Sequence, residues 1–309
     1  CIKNCNTNSN CYYSNLTQQL NDADIIVVNH ALLINDAMDN RSLIPKEHFF
    51  VIDEAHDLFK AAKDILMSSY DKSFFNDPLK DISSLIKNIT NNELVDTGGF
   101  INIIDSAKND IESFFNSYLA SKALDVKDNS YPSLNRFNDI NTEFQDCSPT
   151  LVDLVDTLNQ LVQHIKQINE ELDNSDFIDI SNQFIDKIEM FISQTQSEDY
   201  LSWMKFHSPS KFCSINYLIK DIGAMLFENY FQKNNTGILC SATLSVNNSF
   251  DFFKSQIGLD RLFYERDISE VSFSSPFFLE DQLQFYGFKS DLNINSNDYI
   301  ENIAEQILE

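Results

Sequence analysis

Two short runs of consecutive apolar residues stand out early in the chain, Asp24-Ile25-Ile26-Val27-Val28 and Phe49-Phe50-Val51-Ile52. Both are rich in β-branched or aromatic side chains, and a continuous apolar run suits a strand buried on both faces of a parallel sheet. Both segments are therefore predicted as strands. Between them, Ala31 to Met38 has helix-forming composition and Pro45 punctuates the return, as a βαβ-like crossover requires. A third apolar run, Gly237 to Cys240, comes much later, and everything between the second and third runs reads as helix.

The best-patterned part of that middle places Leu151, Leu154, Leu158, Leu161, Val162, Ile165 and Ile168 on one face about five turns long, with Ser148-Pro149-Thr150 ahead of it as a start signal. Weaker versions of the pattern occupy Phe100 to Leu119 and Phe177 to Phe191, with Gly98-Gly99 and Tyr131-Pro132 as breaks. This region predicts a helical insertion. After the third run, Asn247-Asn248-Ser249 marks a loop and Gln282 to Phe288 is strand-like. Asn293 to Asn297 is a polar linker, and Tyr299 to Leu308 is an amphipathic helix. No internal repeat is visible.

The chain has 309 residues, is 43% hydrophobic and contains 26 Phe, enough for a sizeable core and about two domains. With 6 Gly and 6 Pro it is not collagenous or low-complexity. No apolar run approaches the roughly 20 residues of a membrane span, and no Lys/Arg-headed apolar segment opens the chain. A soluble, cytoplasmic, monomeric protein without a membrane partner is expected. The balance of 22 Lys+Arg against 47 Asp+Glu gives −25, a field that repels phosphate backbones, so nucleic-acid binding would need local exceptions. About −15 of this falls in residues 61–200.

Asp53-Glu54-Ala55-His56 directly follows the second apolar run, so both carboxylates emerge at the C-terminal end of a buried strand, where open α/β sheets bind ligands. An Asp at such a position holds Mg²⁺, commonly through water, and a neighbouring carboxylate can polarise an attacking water. The plainer reading is an acidic pair that favours a helix N-terminus through the dipole. Ser241-Ala242-Thr243-Leu244 repeats the grammar after the third run, although Ser and Thr also cap helices.

Cys1, Cys5 and Cys11 offer three thiolates in one loop. Three is one short of a Cys₄ iron–sulfur set, while a zinc site could recruit a local His or Asp, and ordinary cysteines are the alternative to either. Cys147, Cys213 and Cys240 are scattered and read as buried core thiols. His30 follows the first apolar run, whereas His48, His164 and His207 lack ligand spacing. Trp203 could stack a base but suits a core equally.

Taken together, the sequence resembles DinG/YoaA-type DNA helicases of the XPD-like superfamily 2 group. The resemblance runs through Cys1, Cys5 and Cys11, then Ala23 to Leu33, then Val51 to His56, then Cys240 to Ser245, Ile257-Gly258-Leu259 and Ser274-Ser275-Pro276-Phe277. It implies an α/β fold: a RecA-like parallel-sheet motor domain, a large all-α arch insertion and part of a second motor domain. The divisions expected are a partial iron–sulfur module over 1–22, motor domain over 23–60, arch over 61–200, motor domain again over 201–265, and the second motor domain from 266 to 309.

It further implies an ATP-dependent enzyme moving 5′ to 3′ on single-stranded DNA and opening forks, with replication or repair proteins as partners. Asp53 would hold Mg²⁺, Glu54 would act as base toward the hydrolytic water with Asp53 at the ATP–Mg²⁺ site, and His56 would link that site to the DNA-handling elements. Ser241 and Thr243 would couple hydrolysis to domain movement, and Cys1, Cys5 and Cys11 would ligate a [4Fe–4S] cluster completed by a fourth cysteine outside this chain.

The 309 residues contain no G-x-x-x-x-G-K-[ST] phosphate loop, because none of the six glycines precedes a Lys. With that loop, the family's first cysteine and its arginine-bearing motifs missing, the chain is expected to be an internal segment, inactive by itself. Two other readings accompany this one. A stand-alone acidic helical module would bind a partner protein and keep the boxes as relics, and a lipoprotein would carry its lipid on Cys1.

Overall fold

The computed structural model describes residues 12–38, 43–45, 49–89, 97–123, 148–171, 174–207, 212–233, 236–261, 268–274, 284 and 299–308. The chain divides into two units, Cys1–Glu265 and Arg266–Glu309.

Helix α1 (Tyr12–Gln19) opens the described chain. The first core is built on a pair of parallel strands. β1 (Phe50–Ile52) lies beside β5 (Gly237–Leu239), with Phe50 opposite Gly237, Val51 opposite Ile238 and Ile52 opposite Leu239. Gly237 leaves room for the ring of Phe50, which would have to move aside for a Cβ placed 2.1 Å from it. That ring instead lies over the strand and meets Tyr230 edge-on, centroids 5.3 Å apart. One face of the pair is covered by α2 (His30–Met38), α3 (Leu58–Leu66), α8 (Ile222–Leu226) and the π-turn Phe227–Phe231 that continues α8. Ile34, Ile52, Ala55, Leu58 and Ile222 pack together beneath it. The opposite face stays open, with Val51 59% and Ile238 51% exposed.

Helix α9 (Asp251–Ile257) closes on Gly258 at φ 80°, where a Cβ would collide with the carbonyl of Gly223 at 2.1 Å. The glycine permits both the left-handed turn and the contact with α8. Asn247 and Asn248, at φ 53° and 59°, form the predicted loop between Val246 and Ser249, which exchange backbone hydrogen bonds. Asn tolerates this conformation better than most residues.

The expected strand at residues 24–28 is not formed. The segment has no ladder partner among the described residues, and Ile25 and Val27 are 82% and 91% exposed. Apolar, β-branched composition makes a strand possible, but a strand also needs an edge to pair with.

The second core belongs to the insertion. It contains β2 (Ser68–Asp71), α4 (Lys72–Ile89), α5 (Thr97–Ala123), α6 (Ser148–Glu171) and α7 (Ser175–Gln196), followed by β3 (Tyr200–His207) and β4 (Phe212–Ile219). The strands form an antiparallel sheet in the order β2-β4-β3. This corrects the all-α expectation, because β2 lies inside the insertion and its registered partner β4 lies beyond it. The boundary drawn at residue 200 meets the first residue of β3.

Phe75, Phe114, Phe115, Phe177, Phe184 and Phe191 are almost completely buried in this core. Phe75 and Tyr70 both meet Phe191 edge-on at 5.1 Å, a geometry favoured by the ring quadrupoles. The predicted face of α6 is confirmed, with Leu154, Leu158, Leu161 and Ile165 all inaccessible. Asn174 caps α7 by accepting from the Phe177 N–H at 3.0 Å. Gly98 and Gly99 do not break a helix; they occupy the first turn of α5.

Several polar groups buried here are partnered, although Asn76 Oδ1 in α4 is buried without a hydrogen-bond partner among the described residues. The Tyr70 hydroxyl donates to Gln194 at 2.7 Å, and Gln194 in turn donates to Ser68 at 3.0 Å. Burial pushes the Tyr217 hydroxyl well above the usual phenol range, and its oxygen lies 2.8 Å from that of Thr195.

The β3–β4 hairpin serves both cores: Met204, Cys213, Ile215 and Tyr217 enter the insertion core, and Leu218 enters the other. Trp203 is partly buried against that other core rather than free to stack a base. In the unit from Arg266, α10 (Tyr299–Leu308) is present as predicted, with Ile300 and Ile307 exposed. The proposed strand over Gln282 to Phe288, Gln284 aside, the linker Asn293 to Asn297 and the break at Tyr131-Pro132 lie outside the described residues. Among the described residues, no helix is long and apolar enough to cross a membrane.

Candidate functional site

The site forms where β1 and β5 end side by side. Beyond Ile52 the chain turns through Asp53 and Glu54 into a single 3₁₀ turn, Ala55–Asp57, which runs into α3. Glu54 stands at φ 47°, ψ 44°, in the left-handed region, which costs a residue with a Cβ roughly 1–2 kcal/mol. Ala55 anchors the turn, being fully buried and donating its N–H to the Cys240 carbonyl at 3.0 Å. The Cys240 N–H donates in turn to the Ile52 carbonyl at 2.9 Å. These two bonds extend the parallel ladder past both strands and carry the second box across to the first.

Three side chains meet as a result. His56 Nδ1 lies 2.7 Å from Ser241 Oγ and 3.3 Å from Glu54 Oε2, and Ser241 Oγ lies 3.4 Å from the same Glu54 oxygen. His56 Nε2 is 3.6 Å from Asp57 Oδ2, so the imidazole bridges two acids. Thr243 joins through its backbone, its N–H donating to Ser241 Oγ at 3.3 Å. The Glu54 and His56 side chains are 62% and 40% exposed, so the cluster is open to solvent.

Asp53 is held separately. Its Oδ1 accepts from the Glu54 N–H at 2.9 Å and lies 3.5 Å from Cys240 Sγ, while its carbonyl accepts from His30 Nε2 at 2.9 Å. Partial desolvation, the hydrogen bond to Asp53 and the negative charge of Asp53 and Glu54 together push the Cys240 thiol up, keeping it protonated.

Cys240 is thus exposed beside the acids, not a core thiol; Cys213 is buried as expected, and Cys147 lies outside the described residues. A residue placed directly after the last strand position leaves the sheet with its neighbours, a signal Cys240 shares with Asp53. His30 carries a comparable signal, standing one residue after the helix-capping Asn29 at the end of an apolar run. His164 bonds only its own helix, at the Gln160 carbonyl. His48 and the side chain of His207 lie outside the described residues.

Neighbouring, solvent-facing carboxylates suit Mg²⁺, which prefers hard oxygen ligands, takes one or two carboxylates and keeps several waters. Asp53 and Glu54 fit that donor set. Among the described residues no group of three or more His, Cys, Asp or Glu side chains converges to hold a metal, and Cys1, Cys5 and Cys11 lie outside them.

Residues 2–73 match the DEAD_2 family model, a span that includes the acidic turn and His30. The chain is 21% identical to the 3'-5' exonuclease DinG of Bacillus subtilis, over 96% of this chain and 35% of that protein. It is 25% identical to the ATP-dependent DNA helicase DinG of Photobacterium profundum, over 86% of this chain and 42% of that protein. The chain therefore spans well under half the length of these curated relatives.

Proposed function

From this resemblance to DinG-type, XPD-like helicases, we propose that the chain carries the acidic half of the nucleotide site of an ATP-dependent DNA helicase. The observation that carries the reading is the convergence of Glu54, His56 and Ser241, two boxes remote in sequence meeting at the ends of paired parallel strands. In this reading Mg²⁺–ATP supplies an electrophilic phosphoryl group with its charge partly neutralised. Asp53 would hold the metal, and Glu54 would orient the attacking water and take its proton. His56 transmits the state of Glu54 to Ser241, and Ser241 with Thr243 passes it along the segment after β5.

The phosphate cradle is absent from the 309 residues, so hydrolysis belongs to a longer parent and is not expected from these residues alone. We assign the parent 5′ to 3′ movement on single-stranded DNA, fork opening and a [4Fe–4S] cluster held in part by Cys1, Cys5 and Cys11. It would act as a cytoplasmic monomer alongside replication or repair proteins. The acidic insertion turns most of its charge to solvent, and the DNA groove draws its Lys and Arg from elsewhere in the parent. A purely binding role for the acidic helices finds less support, because it does not call for the joined boxes.

The test uses full-length parent purified without oxygen. DNA-stimulated ATP hydrolysis, unwinding of forks with 5′ or 3′ tails, iron content and the visible spectrum are measured for wild type and Glu54→Gln. Turnover that is unchanged by Glu54→Gln overturns the motor reading. A colourless, iron-free but active protein removes the cluster alone.

A further inference from the structure

We infer that His30 is a positioning residue that locks the peptide between Asp53 and Glu54, and that through this one peptide it sets the direction of both acids. The inference rests on the nucleotide-site reading for its consequence in turnover, and on geometry for its mechanism. The peptide has two polar groups, and both are engaged. Its carbonyl, from Asp53, lies 2.9 Å from His30 Nε2, and its N–H, from Glu54, donates to Asp53 Oδ1 at 2.9 Å. Rotating the peptide plane would break both bonds together. The Asp53 carboxylate would lose the donor that aims it, and Glu54 would be released from φ 47° toward ordinary backbone, turning its side chain away from His56 and Ser241.

The next peptide along is already tied down by the Ala55 N–H on the Cys240 carbonyl. The Asp53–Glu54 peptide therefore sits between the ladder and that anchor, and His30 holds its carbonyl. A disfavoured turn persists only when its surroundings over-determine it. His30 is in turn well fixed. It opens α2, where Asn29 Oδ1 accepts from the Leu32 N–H at 2.8 Å and the Asn29 carbonyl accepts from the Leu33 N–H at 3.1 Å. Ile34, farther along α2, is 1% exposed and packs in one core with Ile52 and Ala55, which flank the acids. Since a carbonyl only accepts, Nε2 must carry a proton.

The experiment compares wild type, His30→Leu and His30→Gln in the full-length parent. Gln places an amide N–H at nearly the reach of Nε2, and Leu fills the space without a donor. Three quantities are read: kcat and KM for ATP in DNA-stimulated hydrolysis, the affinity for Mn²⁺ alone by electron paramagnetic resonance, and the ring ¹⁵N shifts of His30 in wild type. His30→Leu should lower kcat about tenfold or more with KM within about twofold, the signature of a group that aims the reacting residues. It should also weaken Mn²⁺ binding, and His30→Gln should recover both to within about threefold.

An Nε2 without a proton, or unchanged kcat and Mn²⁺ affinity in His30→Leu, overturns the inference. So does a loss of activity that tracks a lowered melting temperature and is not rescued by Gln. If the wild-type parent hydrolyses no ATP, or Glu54→Gln hydrolyses it as well as wild type, the nucleotide-site reading fails instead. The ring shifts and Mn²⁺ affinities then still decide the role of His30.

Discussion

The insertion and the parallel strand pair spend their apolar residues differently. In the insertion, rings from three helices and a sheet close on one another, and Phe75, Phe115 and Phe191 are sealed from water. In the strand pair, two strands of three residues each bury one face and leave Val51 and Ile238 more than half exposed on the other. The sealed region holds the greater share of the stability, while the thin region holds the acids. The geometry of the site consequently depends on a few local bonds at the strand ends rather than on depth of packing.

This contrast can be broken experimentally. The largest expected effect is on chemistry: Glu54→Gln in the parent should reduce ATP turnover about 100-fold or more and leave the melting temperature unchanged, as suits an exposed carboxylate. A large loss of stability in that variant would show that the site also holds the fold. Next comes a pair of substitutions read by urea unfolding. Phe191→Ala should cost about 3–5 kcal/mol and Val51→Thr no more than about 0.5 kcal/mol; similar costs would erase the distinction between the regions.

A smaller effect is expected at Asp221, which caps α8 through the Ala224 N–H at 2.8 Å and pairs with Arg261 at 2.5 Å. Asp221→Ala should cost about 1 kcal/mol at neutral pH. The Arg261 hydrogen bond, then the Ala224 N–H, hold the Asp221 carboxyl below the usual carboxylate range. A carboxylate with a lowered folded-state pKa stabilises above its unfolded value and loses that contribution as pH falls through the folded one. The gap between wild type and Asp221→Ala should therefore narrow in acid, below about pH 4. A gap that stays constant would mean that charge has no part in it.

The smallest effect concerns Cys240, whose thiol is kept protonated in part by Asp53. Asp53→Asn should free more thiolate and speed alkylation by iodoacetamide near neutral pH. An unchanged rate would remove Asp53 from the environment of that sulfur.

Much of the site is legible in the sequence, because its residues stand at the ends of apolar runs, and a strand end projects the next few side chains out of the sheet. The DEAH turn, the Ser241 box and the face of α6 all rest on such local patterns. Other features depend on partners distant in the chain. Residues 24–28 have the composition of a strand without an edge to join, and Ser68-Ser69-Tyr70-Asp71 looks polar until Tyr70 is seen sealed against Phe191. The β3–β4 hairpin, absent from the helical expectation, does carry a local signal. Tyr200 to His207 and Phe212 to Ile219 flank Ser208-Pro209-Ser210, a turn signal between two strand-like segments. His30 and Cys240 also stand at the ends of apolar runs, but what each one meets, the Asp53 carbonyl and the Asp53 carboxylate, lies far away in the chain and is not written in any local pattern.

That hairpin has a mechanical consequence. Ile215 and Tyr217 of β4 lie in the aromatic core and Leu218, the next residue, lies in the core beneath the acids. A displacement of the insertion is therefore handed on across a single peptide bond, with no slack linker to absorb it. Amide hydrogens on either side of Tyr217 should exchange as one cooperative block, and a load applied to the helices would be felt two elements away, at the strand ends.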